Sequence, residues 1–259
     1  MSSYSPGETM TDNMLLETYL KQLRLPTFLQ NYAKFSEDAT QANLSYERFL
    51  LSLTEQEILQ REVNREERRI KAARFPVLKE LADFDFSCVT SLNKAQVLDL
   101  ARGAYLQKNE NIILVGNPGL GKTHVSIGLS LAACRQGHKV RFYNAAGLVN
   151  DLLQAQEKQL LPRFILTALK HRLVVIDELG FIPLTQEGAQ LIFQFCSALY
   201  ERVSLLITTN LRFGDWTQVF HNEQLTAALL DRLTHRSTIL EFLGESYRFR
   251  ERMQREAHT

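Results

Sequence analysis

The feature that most constrains this chain is a glycine-rich octapeptide that follows a short apolar run. It reads Gly116-Asn117-Pro118-Gly119-Leu120-Gly121-Lys122-Thr123 and fits the G-x-x-x-x-G-K-S/T pattern of a phosphate-binding loop. Its glycines lack a Cβ, so the backbone can approach a polyphosphate closely and turn successive N–H groups toward it. Lys122 can bring an ammonium to the outer phosphates, and Thr123 can place a hydroxyl on Mg²⁺. The octapeptide therefore predicts a nucleotide site.

The residues on either side supply the strand and the helix that such a loop requires. Before it, Ile112-Ile113-Leu114-Val115 is typical of a strand buried on both faces. After it, residues 124–135 contain no proline and only one glycine, which predicts a helix whose positive dipole end points at the phosphates. The alternative is a glycine-rich turn without a ligand, and these flanks disfavour it.

Composition sets the broad class. With 259 residues, of which 45% are hydrophobic and 23% charged, the chain can form one large globular domain and a small one. Because the formal net charge is only +1, a nucleic-acid surface must come from local charge placement. Cys88, Cys134 and Cys196 are scattered in apolar contexts and predict buried thiols. The N-terminus is unlike a signal peptide, and no apolar run approaches the roughly 18 to 20 residues of a membrane span, so we expect a cytoplasmic protein.

The first part of the chain predicts a small helical domain. Four helices are expected there, and their ranges are Thr11 to about Leu25, Phe28 to Ala39, Tyr46 to Leu53, and Thr54 to about Arg74, the last opened by a Thr54–Glu57 capping box. We therefore predict an N-terminal helical domain over residues 1–75, which binds DNA or a partner, and a linker over 76–92.

Residues 93–259 predict an α/β domain. A helix over 93–107 precedes the first strand. Four further strands are expected at 140–144, 173–177, 204–209 and 237–242, and they alternate with helices at 145–158, 186–201 and 225–233. This alternation is typical of a parallel sheet with helices on both faces.

Two carboxylates follow the third strand, at the edge of the sheet where ligands bind in open α/β folds. Asp177 is placed to hold Mg²⁺ opposite Thr123, and Glu178 to polarise the water that attacks the γ-phosphate. The alternative for the pair is a helix N-cap on a structural strand. Asn210 follows the next strand, where an amide can sense the γ-phosphate, although an Asn at a strand end is usually a turn residue.

Basic residues supply the remaining candidates. Arg232 lies at the end of a helix, far along the chain from the loop, and arginines so placed often complete the site of a neighbouring subunit. Its alternative is a surface pair with Asp231. A basic stripe also lies beside an acidic one on the fourth helix. The stripe could bind an anionic partner or could be part of a solvated face of mixed charge, and the spacing favours neither interpretation. The stripe consists of Arg61, Arg65, Arg68 and Arg69.

The order of these parts resembles the AAA+ ATPases, and more narrowly the IstB transposition-helper ATPases, with DnaC and DnaA as more distant relatives. The closer resemblance rests on Gly121 to His124, Leu131 to Arg135, Val175 to Leu184, Thr208 to Trp216 and Ile239 to Arg248. It implies a five-stranded AAA+ domain with little or no C-terminal lid, because few residues follow Arg232. It also adds His124 and Arg248 to the nucleotide-binding candidates.

The resemblance implies an ATPase that needs ATP and Mg²⁺, is stimulated by DNA, forms a homo-oligomer on double-stranded DNA and recruits a partner transposase. The implied DNA contacts are the basic stripe and the residues Lys158, Arg163 and Lys170, with largely sequence-independent binding to phosphates. A DnaC-like helicase loader is the alternative within this class. A small-molecule kinase and a nucleotide-gated binding module without hydrolysis are the alternatives from other classes.

Overall fold

The computed structural model describes residues 6–181 and 183–244, with side-chain environments from residue 12 onward in those ranges. The chain folds as two compact units, Met1–Glu67 and Arg68–Thr259. The helices in the described ranges are α1 Pro6–Gln22, α2 Pro26–Gln41, α3 Tyr46–Ala73, α4 Lys94–Leu100, α5 Ala104–Gln107, α6 Lys122–Arg135, α7 Ala145–Glu157, α8 Leu161–Ala168, α9 Gln186–Leu199, α10 Thr217–Phe220 and α11 Glu223–Thr234. The strands are β1 Asn111–Gly116, β2 Val140–Asn144, β3 Leu173–Asp177, β4 Ser204–Thr209 and β5 Ser237–Phe242. No helix in these ranges is long and apolar enough to cross a bilayer.

The first unit contains α1, α2 and most of α3. The prediction of separate third and fourth helices was wrong, because α3 runs without a break from Tyr46 to Ala73. The Thr54 hydroxyl donates to the carbonyl of Leu50 at 2.8 Å, as a residue inside a helix does, and caps nothing. No glycine or proline interrupts this stretch, so the helix continues through the expected boundary.

A buried carboxylate joins the three helices of the first unit. Glu57 on α3 is only 4% exposed. One of its oxygens accepts from the backbone N–H of Thr27 in α2 at 2.9 Å, and the other from Nε of Arg61 at 2.6 Å. Arg61 in turn donates to the carbonyl of Arg24, just past α1, at 2.6 Å. Two hydrogen bonds and a cation thus compensate the burial of this charge.

The second unit is built on a parallel sheet with the order β2-β3-β4-β1-β5. β3 is buried along its whole length, so both faces of the sheet need cover. One face packs against a core that includes Leu148, Phe195 and Trp216, and the other against a core that includes Leu106 and Ile127. This arrangement brings the carboxyl ends of β1, β3 and β4 together at one edge.

Three local expectations for the second unit need correction. The helix expected over residues 93–107 is two helices, α4 and α5, since Gly103 between them has φ +79°, in the left-handed region. The helix α8 was not expected, because the sequence interpretation left residues 159–172 without an element. Of the cysteines, Cys134 and Cys196 are buried as expected, whereas Cys88 is partly exposed.

Candidate nucleotide site

The glycine-rich loop joins β1 to α6 in a shape that only glycine permits. Gly116 has φ +148°, and a Cβ there would lie 2.1 Å from the carbonyl oxygen of Phe242. Gly121 has φ +85°, and its Cβ would lie 2.5 Å from the ring of Phe84. Both positions exclude a side chain on steric grounds as well as through the backbone angle. Neighbouring segments therefore pack directly against the loop backbone.

Lys122, the first residue of α6, folds back onto the loop. Its ammonium donates to the carbonyls of Gly116 at 2.5 Å and Asn117 at 2.8 Å. Burial lowers the pKa of Lys122 to about 8, although the nearby charges of Asp177 and Glu178 act in the opposite direction. A cation is thus held at the loop by weak carbonyl acceptors, which a phosphate could replace.

Asp177 closes β3 and is 5% exposed. Thr123 on α6 donates its hydroxyl to the two carboxylate oxygens at 3.0 and 3.1 Å, and Thr208 on β4 donates to Oδ1 at 2.6 Å. Burial raises the pKa of Asp177, and the two hydroxyl bonds counteract part of that rise. The carboxylate therefore has neutral donors from both neighbouring elements.

Glu178, the next residue, is exposed and has φ +62°, a conformation that costs free energy for a residue with a side chain. Its backbone N–H donates to the Thr208 hydroxyl at 2.8 Å. Its carboxylate oxygen Oε2 accepts from Nδ2 of Asn144 at 2.9 Å. The strained backbone and the Asn144 bond together direct this carboxylate at the end of the sheet.

A cavity of about 650 Å³ lies over the loop. Its floor includes residues 118–124, and Glu178 and Asn210 line it from the strand ends. The opposite wall comes from residues 77–79, 83–85 and 88–89. The Asn210 oxygen Oδ1 is buried without a hydrogen-bond partner in the described part of the chain. A buried acceptor without a partner is rare in native proteins, so a ligand or water is expected to donate to it.

The wall opposite the loop is fastened to α6. His124 Nε2 lies 2.7 Å from the carbonyl of Glu80, and its ring packs edge-on against Phe84 at 5.3 Å. Both oxygens of the Glu80 carboxylate accept from Arg135, at 2.5 and 2.7 Å. The segment that the sequence interpretation described as a linker is thus one side of the cavity.

The structure brings most of the predicted site residues together. Lys122, Thr123, Glu178 and Asn210 line the cavity, and Asp177 is bonded to Thr123. Arg232 does not line it. Its guanidinium lies 5.0 Å from the ring centre of Phe193 and donates to the carbonyl of Ala228 at 2.8 Å. Arg248 lies outside the described residues.

Sequence reasoning missed three parts of the site, which are Thr208, Asn144 and the wall formed by residues 77–89. Thr208 is a polar residue in a strand buried on both faces, a signal that was available. Asn144 ends β2 at the same edge as Asp177, to which it is paired in register. Residues 77–89 contain no sequence motif that predicts their part in the site.

The basic candidates separate into two groups. Arg61 is bonded to Glu57, and Nε of Arg69 donates to the carbonyl of Cys134 at 2.7 Å, so both are engaged within the chain. Arg65 and Arg68 are exposed. A different group, with Lys158 and Arg163, lines a second cavity, and Lys170 is exposed outside it.

A family model described as IstB-like ATP binding protein matches residues 18–255. The chain belongs to this family. IstB-like relatives include an insertion sequence IS21 ATP-binding protein of Pseudomonas aeruginosa, 36% identical over 92% of this chain and 89% of its own length. Another is an insertion sequence IS5376 ATP-binding protein of Geobacillus stearothermophilus, 33% identical over 93% of this chain and 96% of its own length. The predicted family is thereby confirmed.

Solved structures with a similar fold come from replication proteins. DnaI is 14% identical, with a TM-score of 0.53 over 64% of this chain and 91% of its own. DnaA from Aquifex aeolicus bound to AMPPCP is 17% identical, with a TM-score of 0.51 over 69% of this chain and 55% of its own. At these identities the likeness shows the fold alone. The IstB-like chain has the predicted AAA+ P-loop fold, with a parallel five-stranded sheet that follows a helical region.

Proposed function

We propose that this protein is an Mg²⁺-dependent ATPase that assembles on double-stranded DNA when ATP is bound and then recruits and stimulates a partner transposase. The observation that carries the proposal is that Lys122, Thr123 and Glu178 line one cavity with the glycine-rich loop, and that the Asp177 carboxylate accepts from Thr123. The cavity volume of about 650 Å³ suits a nucleoside triphosphate.

The residues present fit Mg²⁺. A hydroxyl and a buried carboxylate lie in contact at Thr123 and Asp177, and hard oxygen donors of this kind are what the ion prefers. The described residues contain no group of three or more His, Cys, Asp or Glu side chains that could hold a metal. Thr123 and Asp177 would therefore hold the ion with phosphate and water oxygens. When bound, it neutralises charge on the phosphates.

The other steps of ATP binding and hydrolysis are assigned to separate residues of the chain. Lys122 exchanges its two carbonyl acceptors for phosphate oxygens, and residues 118–124 enclose the phosphates. Glu178 accepts the proton of the attacking water, with Asn144 orienting its carboxylate. Asn210, whose Oδ1 has no hydrogen-bond partner among the described residues, accepts from that water through Oδ1 or donates to the γ-phosphate through Nδ2. Arg232 stabilises the transition state in a neighbouring copy, since it does not reach its own cavity.

The roles of DNA and a transposase in this proposal are supported by the family of the chain. Curated relatives at 33% and 36% identity are described as insertion-sequence proteins, which favours a role in transposition over helicase loading. We assign DNA or partner contacts to an N-terminal domain over residues 1–75, ahead of a linker over 76–92 and an ATPase domain over 93–259. Because Arg232 would act between copies, ATP binding and assembly would be one event.

Sedimentation of four proteins tests the proposal, each with and without ATP and a duplex of about sixty base pairs, well below the DNA persistence length. The four are wild type, Lys122→Ala, Glu178→Gln and Arg232→Ala. We expect large assemblies only with ATP and duplex, formed by wild type and Glu178→Gln. If all four stay small under every condition, the assembly proposal is wrong.

Mixing separates the role of Arg232 from damage to the fold. We expect Lys122→Ala and Arg232→Ala to be inactive alone and to regain ATPase activity when mixed, since each then supplies what the other lacks. Loss of Arg232 is expected to lower kcat about a thousandfold or more. Arg236→Ala, at an exposed arginine two residues after the end of α11, is the matched control and should keep activity. No recovery on mixing would remove Arg232 from the site.

A further inference from the structure

A second cavity, here called the edge cleft, lies on β2, which is one of the two edge strands of the sheet. It has a volume of about 540 Å³ and is bounded by β2, the residue after α3, α7 and α8. Four cations line it, from four different segments of the chain. They are Arg74, Arg141, Lys158 and Arg163.

The positive charge of the edge cleft is not balanced within the described chain. None of the four cations forms an ion pair with a described carboxylate, and Asp151 is the one acid among the residues that line the cleft. Burial lowers the pKa of His171, which also lines the cleft, and the charges of Arg141 and Lys139 lower it further. Like charges that line one cleft repel one another, and an anionic ligand would offset the cost in free energy.

Contacts within the chain fix part of the edge cleft. The guanidinium of Arg141 lies 5.0 Å from the ring centre of Tyr143 and donates to the carbonyl of Ala72 at 3.3 Å. These contacts fix the position of one cation in the cleft. Arg74, Lys158 and Arg163 also line the cleft and are exposed. One fixed charge together with three exposed charges suits a ligand that carries several anionic groups in a row.

The aromatic rings of the cleft favour a phosphate backbone over stacked bases. Arg141 covers Tyr143, and Phe164 packs against Tyr143 at 6.2 Å and Phe195 at 6.0 Å between ring centres. Single strands are commonly bound by stacking their bases on open aromatic faces, and these two rings are already engaged. Duplex DNA presents its phosphates instead and keeps its bases stacked.

We propose that the edge cleft holds the phosphate backbone of duplex DNA through Arg74, Arg141, Lys158 and Arg163, so that DNA contacts are not confined to residues 1–75. The inference rests on the proposed function for its partner. Among the basic candidates, Arg61 is bonded to Glu57 and Lys170 lies outside the cleft, whereas Lys158 and Arg163 line it together with Arg74 and Arg141. With charges that meet phosphates only, binding is independent of sequence and steeply dependent on salt.

The test is fluorescence anisotropy of a labelled duplex with the full chain and a non-hydrolysable ATP analogue, between about 50 and 200 mM salt. The variant Lys158→Gln/Arg163→Gln is expected to weaken binding about tenfold or more and to reduce the slope of log K against log salt by about two. Arg74→Gln should reduce the slope by about one. The matched control Lys108→Gln/Arg202→Gln removes two exposed charges outside the cleft and should keep the wild-type slope.

The outcomes separate the inference from the proposed function. Binding of the ATP analogue by each variant shows that the fold is intact. If wild type binds duplex and the cleft variants keep its slope, the edge cleft is not the DNA site, while the proposed function stands. If wild type binds no duplex with any nucleotide, the proposed function fails. If poly-glutamate or a single strand displaces duplex at equal charge, the cleft takes a different ligand and the assignment to duplex DNA is wrong.

Discussion

Each of the two compact units contains a buried carboxylate, and the two are held in different ways. Glu57 in the first unit accepts from the guanidinium of Arg61 and from a backbone N–H. Burial would raise its pKa, but these hydrogen bonds outweigh it and lower the pKa below 4.5. Asp177 in the second unit accepts from two hydroxyls, and there burial prevails and raises the pKa. One carboxylate is neutralised within the fold, and the other is not.

This difference indicates which carboxylate serves the fold and which serves a ligand. Glu57 has its cation and its backbone donor already, so it fixes three helices and needs nothing further. Asp177 accepts hydrogen bonds only from neutral hydroxyls. A bound cation would therefore stabilise its buried negative charge. Substitutions at the two sites should therefore affect different properties of the protein, in the following order of size.

The largest effect is expected from Asp177→Asn. With the charge removed, transition-state stabilisation at the phosphates is lost, and kcat for ATP hydrolysis should fall about a thousandfold. Steady-state phosphate release measures this, with Asp99→Asn, an exposed carboxylate, as control. Because Asn keeps the size and can still accept from both hydroxyls, the melting temperature should change little. Full activity in Asp177→Asn would mean that the charge of Asp177 does not serve a ligand.

Glu178→Gln should lower kcat by about a hundred- to ten-thousandfold while ATP binding is retained, because only proton transfer is lost. Phosphate release and equilibrium binding of a fluorescent ATP analogue together measure this separation. Glu187→Gln, at an exposed glutamate bonded to Gln156, serves as the matched control. Unchanged kcat in Glu178→Gln would mean that Glu178 is not the general base, and negligible turnover in wild type and variant alike would mean that the protein is a nucleotide-gated binder.

Glu57→Gln should destabilise the first unit by about 2 kcal/mol, since a buried charge-assisted hydrogen bond is lost, and should leave ATP hydrolysis unchanged. Hydrogen exchange of residues 26–41 reports the opening of α2, whose Thr27 N–H depends on Glu57. Glu55→Gln, exposed on the same helix, is the control. Equal exchange in both variants would mean that Glu57 has no structural role.

The smallest effect is the acid sensitivity of the first unit. Because the pKa of Glu57 in the folded state lies below its ordinary value of 4.5, its contribution to stability is complete above that pH. The contribution is lost as the pH falls through the lowered pKa. Exchange in residues 26–41 should therefore accelerate in wild type as the pH falls below 4.5 and through the lowered pKa. Glu57→Gln should show a weaker pH dependence, and an identical one would contradict this account.

The local sequence pattern predicted the ranges of the strands well and those of the helices less well. The predicted ranges of β2 to β5 agree with those observed, because buried apolar runs are bounded by polar residues on both sides. The break predicted at Thr54 was wrong, since a capping box is also a pattern that a continuous helix tolerates. The unpredicted α8 is short and begins at Leu161-Pro162, which reads equally well as a turn.

The sequence by itself determined the phosphate-binding loop, the two carboxylates after β3 and the amide of Asn210, because each depends on residues close together in the chain. Only the tertiary structure decided which distant groups meet them. Thr208 reaches Asp177, and Asn144 reaches Glu178, because β2 and β4 flank β3 in the sheet.

The tertiary structure also decided which charged groups lie together. The pairing of Glu57 with the N-terminus of α2 and the gathering of the cations of the edge cleft on β2 join segments that no periodicity connects. Strand order and helix packing are set by burial of apolar surface over the whole domain, and a short window of sequence does not contain that information.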